Sequence, residues 1–117
     1  MKCSFNLHED EYIQEAVGLL HSIGATWITS DNIHDYFLEV EFRKTPAILK
    51  TASNLEDSLN ICRLSSIGLS FYLVDLIFGG ETEKNLHFEL NCADGVVFVP
   101  MGNIESISTV GNIVLNK

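Results

Sequence analysis

Positive charge is scarce in this 117-residue chain: Lys and Arg together number seven, and four of them lie between Arg43 and Arg63. A nucleic-acid binder needs a basic stripe or groove to neutralise phosphates, and no such run is present. The aromatic residues that could stack on bases (Trp27, Tyr36, Phe37, Phe71, Tyr72) have acidic or apolar neighbours. Nucleic acid is therefore not expected as a direct partner. Long apolar runs are missing too. The longest, Phe71–Gly80, is interrupted by Asp75 and falls well short of the ~18 residues a membrane helix requires. The opening residues, MKCSFNLHEDEY, turn acidic without an apolar segment, so no secretory leader is expected and cytoplasmic residence is the default.

Chemistry-bearing motifs are equally sparse. Cys3, Cys62 and Cys92 form no CxxC pair, and an odd count does not suit a disulfide framework, so three free thiols are expected. His8, His21, His34 and His87 lack the close spacing of a metal site. His34 adjoins Asp35, but no Ser or Cys nucleophile is specified beside them. Gly79-Gly80 is followed by Glu81 and Glu83, which would oppose a phosphate rather than cradle it. The carboxylates of a glycosidase must sit at a fixed separation across a cleft, and nothing signals a cleft. No catalytic residue, metal or cofactor is expected, and the chain is read as a non-enzyme.

What the chain has in quantity is acid. Eight carboxylates (Glu9, Asp10, Glu11, Glu15, Asp31, Asp35, Glu39, Glu41) stand against Lys2 in the first 41 residues, giving that third −7 of the total −9. Such asymmetry can build a negative field on one side of a fold, repelling nucleic acid and steering a basic partner. An apolar fraction of 46% and a charged fraction of 20% fit one folded domain over residues 1–117.

Periodicity predicts an amphipathic helix over 8–23, with Tyr12, Ile13, Ala16, Val17, Leu20 and Ile23 inward and Gly24 as its stop. Glu9, Asp10 and Glu11 would suit the positive end of that helix or form the rim of a partner site. Thr26–Ser30 is a short β-prone segment, and Tyr36–Phe42 alternates as a half-buried strand. Tyr36, Leu38, Val40 and Phe42 share one face of it; Phe37, Glu39 and Glu41 share the other. Pro46 confines any strand at Ala47–Lys50 to an edge, and residues 53–64 suit either a helix or a strand.

Leu69–Phe78, rich in aromatic and branched residues, reads as a strand buried on both faces, with a core helix as the lesser alternative. Leu86–Leu90, Val96–Pro100, Ile104–Val110 and Asn112–Leu115 read as further strands, separated by GGETEKN, NCADG and Gly111. The expected class is α+β: an N-terminal helix on a mostly antiparallel sheet of five or six strands, or on a partly open barrel. Asp31, Asp35, Phe37, Glu39 and Glu41 combine an outward aromatic anchor with carboxylates and form the candidate partner-binding site.

In size, acidity and want of catalytic signature the chain resembles bacterial immunity proteins, such as those of contact-dependent growth inhibition systems. That resemblance implies a cytoplasmic inhibitor that occludes the active-site cleft of a basic toxin, an RNase or DNase. A second set of residues is similar to the protease-adaptor family of stringent starvation protein B, from Tyr12 to Thr109. It comprises the early helix, Leu59-Asn60-Ile61, Ser65-Ser66-Ile67-Gly68, and Val97-Phe98-Val99-Pro100-Met101 leading to Ile104 and Ile107. It implies a helix followed by an Sm-like barrel and, as an alternative function, peptide-binding adaptor activity. After Gly111 only NIVLNK follows, without a protease-docking tail. A small hydrolase is the third reading.

Overall fold

A computed structural model describes residues 2–50, 62–79, 87–92, 95–109 and 114–116. In chain order the elements are β1 (Lys2–Phe5), α1 (Ile13–Ser22), β2 (Leu38–Phe42), β3 (Cys62–Leu64), α2 (Ser66–Ile77), β4 (His87–Cys92), β5 (Gly95–Pro100), β6 (Ile104–Thr109) and β7 (Val114–Asn116). The α+β class holds. The single sheet does not: two antiparallel sheets form, one ordered β1-β2-β6-β7 and one β3-β4-β5, and neither closes into a barrel among the described residues. A parallel bridge between Leu7 and Leu64 joins them, through His8 N to the Leu64 carbonyl (2.7 Å) and Leu64 N to the Asn6 carbonyl (3.0 Å). One continuous core draws on both sheets and both helices.

α1 follows from its apolar spacing, burying Ile13, Ala16, Val17 and Leu20. It begins later than predicted, at Ile13, because Asp10 accepts from Tyr12 N (2.9 Å) and holds residues 10–12 in a turn. Gly24, at φ +106°, ends it in a conformation that favours glycine. β2 starts at Leu38 rather than Tyr36 and over its length keeps the predicted alternation, with Leu38, Val40 and Phe42 buried and Glu39 and Glu41 half-buried. Thr26–Ser30 forms turns rather than a strand, and Ala47–Leu49 is a 3-10 helix. The strand at Lys2–Phe5 went unpredicted. Cys62–Leu64 is strand, and the rest of the ambiguous 53–64 stretch lies outside the described residues, as do most of GGETEKN and the turn around Ala93-Asp94.

The largest correction is at Leu69–Phe78, which is helical as far as Ile77 with Phe78 as the C-cap. Aromatic and branched residues bias this stretch toward strand, but tertiary packing overrides that bias. Gly68 lets the helix backbone approach β4: a Cβ there would lie 3.2 Å from Glu89 N and 3.4 Å from Phe88 Cα. Tyr72 then packs against Phe88, with ring centroids 5.5 Å apart and the rings tilted. Burial pushes the Tyr72 phenol up to about 12, aided by the nearby Asp75 carboxylate and opposed by Arg43. Two of the three expected free thiols are also corrected. Cys62 and Cys92 face one another across β3 and β4, with Cα atoms 4.3 Å apart, and form a disulfide. Cys3 is free and buried, and burial raises its thiol above the ordinary range.

Candidate interaction surface

The Asp31–Glu41 stretch runs from a turn into an inner strand. Thr29 and Asn32 close the turn through reciprocal bonds, Thr29 N to Asn32 Oδ1 (2.6 Å) and Asn32 N to Thr29 Oγ1 (3.3 Å), which leaves Asp31 exposed. Asp35 ends a 3-10 helix at Ile33–Asp35, also exposed, and Phe37 follows with 42% of its surface open. Asn6 Nδ2 donates to the His34 carbonyl (3.2 Å) and ties this segment to the continuation of β1.

Beyond Phe37 the carboxylates recede. β2 is flanked on both sides, so Glu39 lies between Ser4 and Ser108, and Glu41 between Lys2 and Ser106. Neither is the freely solvated carboxylate that alternation alone suggested, and Glu41 has a lysine directly opposite, which offsets part of its field. The exposed part of the predicted site is therefore Asp31, Asp35 and Phe37, with Glu39 and Glu41 as a recessed floor.

The rim acids separate in role. Asp10 is structural. Its carboxylate accepts from Tyr12 N, from Ser66 N (3.3 Å) and from the Ser66 hydroxyl. Ser65 stands at the N-cap of α2, but its own side chain makes no capping bond, so a residue 56 positions away in sequence supplies the acceptor. Asp10→Ala should cost about 2 kcal/mol by orphaning these donors. Chemical denaturation checks this; an unchanged midpoint would show that the contact contributes nothing. Glu9 is exposed and Glu11 is exposed at the edge of a groove of about 400 Å³. Asp10, His8, Ile67, Glu89 and Asn91 share that lining.

The groove assembles from three separate segments, which no local spacing could reveal. The outward side of α2 carries exposed Phe71, Ile77 and Phe78, while Ser66, Ser70 and Asp75 are buried. Helical spacing of Ile67, Phe71, Val74 and Phe78 was the available signal. β5 likewise exposes Val96 and Phe98.

No group of three or more His, Cys, Asp or Glu side chains able to hold a metal occurs among the described residues, and no helix there is long and apolar enough to cross a membrane. Comparisons of the chain with protein-family models, with curated proteins and with solved structures find no match.

Proposed function

We propose that this chain is a non-enzymatic inhibitor that binds a basic toxin, an RNase or DNase, and occludes its active-site cleft. The observation that supports this reading is the exposed Phe37 set between exposed Asp35 and recessed Glu39, with Asp31 one turn away. An aromatic ring with little conformational freedom can anchor an interface, and surrounding carboxylates steer a cationic cleft toward it. Carboxylates in such a cleft occupy the places of substrate phosphates. The acidic character of the chain, at −9, adds long-range attraction that salt should weaken.

The roles separate kinetically. Asp31→Lys with Asp35→Lys should slow association several-fold and flatten its salt dependence, because both side chains are exposed. Phe37→Ala should speed dissociation by roughly 30-fold, the equivalent of a 2 kcal/mol anchor. Glu41 is a poor probe, since it is half-buried opposite Lys2 and its reversal would disturb the sheet. The measurement uses the partner that co-purifies with the tagged chain. It should be basic, form a one-to-one complex, and lose nuclease activity in that complex. An acidic partner, or rates indifferent to Phe37→Ala in a protein of unchanged melting temperature, would overturn the assignment.

A further inference from the structure

α2 buries Leu69, Tyr72 and Leu73 against the core, yet its outward side is apolar too, which is unusual for a helix at the surface of a monomer. Ser66, Ser70 and Asp75 are at most 4% exposed, while Phe71, Ile77 and Phe78 are 39, 42 and 66% exposed. The Ser70 hydroxyl donates to the Ser66 carbonyl (3.0 Å), so its inward placement is satisfied within the helix. Ile67, Phe71, Val74 and Phe78 follow i, i+4, i+7, i+11 spacing and form one stripe along the outward side. A 12-residue helix makes this stripe roughly 18 Å long.

We infer that the outward face of α2 docks an amphipathic helix of a partner protein, one with a stripe of apolar side chains and Lys or Arg beside it. The apolar part follows from the stripe, since interlocking rows at this spacing are how one helix seats on another. The basic part follows from the groove at the end of the stripe. Ile67 belongs to both, and Glu11 and Glu89 line the groove with no Lys or Arg among its lining residues. Asp10 is already committed to the start of α2, so Glu11 and Glu89 are the acids that face an incoming cation.

A second copy of the chain fits less well. Each copy carries −9. The stripe is a single helix face roughly 18 Å long, matched to three or four turns of one helix, whereas a stable interface between copies needs ~800 Å² per partner. This docking surface is independent of the Phe37 site and does not require the partner to be a toxin.

Two synthetic 18-residue helical peptides test the inference on the full chain. Both carry Leu at i, i+3, i+4, i+7 spacing; one has Lys at its remaining positions and the other has Glu. In a titration followed by amide NMR, the Lys peptide should bind and shift signals of residues 66–78, Glu11 and Glu89. The Glu peptide should bind at least tenfold more weakly. Phe78→Ser should weaken the Lys peptide at least tenfold, and Glu11→Lys several-fold, both at exposed positions where folding is unaffected.

Shifts centred elsewhere, equal affinity for both peptides, or affinity indifferent to Phe78→Ser would each overturn the inference. Concentration-dependent dimerisation of the free chain that Phe78→Ser abolishes would instead assign the stripe to a second copy, and would also overturn it.

Discussion

Reducing the Cys62–Cys92 bond should lower the stability of the fold by about 3–4 kcal/mol. The two cysteines are 30 residues apart, and closing a loop of that size removes this much chain entropy from the unfolded state at 25 °C. β3 is only three residues long, so few ladder bonds hold it to β4 once the crosslink is gone. For a chain of this length the loss corresponds to a fall in melting temperature of about 10–20 °C. Thermal unfolding with and without dithiothreitol, and with Cys62→Ser, measures it. The two treatments should agree and should not add. Three titratable thiols in the denatured, unreduced protein would show that the bond does not form. Bonds of this kind persist mainly outside the reducing cytosol, so this crosslink weighs against the cytoplasmic default. In a reducing compartment the operative stability is that of the dithiol form.

Phe88→Ala should be at least as costly, at about 3–5 kcal/mol. Phe88 is 1% exposed and meets the Tyr72 ring at a tilt of 54°. It stands where Gly68 brings α2 against β4, so truncation leaves a void between two backbones already in close contact, with little room to relax. Phe88→Leu, which retains most of the volume, should cost well under half as much. Urea denaturation distinguishes the two variants. A loss below about 1.5 kcal/mol for the alanine variant would place this ring outside a tightly packed core.

Both predictions concern contacts that the amino-acid order disclosed poorly, and the reason is physical. β2 was legible because an inner strand with one buried face imposes strict alternation on Leu38, Val40 and Phe42. α1 was legible because its polar residues lie outside. α2 lacks that contrast: Ser66, Ser70 and Asp75 are inside together with Leu69, Tyr72 and Leu73, while Phe71, Ile77 and Phe78 are outside, so apolar residues occur on every side and helical spacing does not mark which face is buried. The cysteine pairing depended on β3–β4 register, which is a property of the assembled sheet.

The candidate site was legible to a similar degree. Parity placed Phe37, Glu39 and Glu41 on one face of a strand over Tyr36–Phe42, of which Leu38–Phe42 is strand and Phe37 stands just ahead of it. It could not show that β1 and β6 would close in on the two glutamates, nor that Asp10 would leave the rim to start a helix at Ser66.

The order of strands in the first sheet also bears on how the chain is made. β2 takes one neighbour from residues 2–5 and the other from residues 104–109. A ribosome delivers the first of these early and the second only after the whole second sheet and α2 have emerged. Until then one edge of β2 has no strand beside it, and closing so long a loop is entropically costly. Residues 2–42 therefore wait, and the acidic side chains concentrated there keep the waiting segment soluble through mutual repulsion.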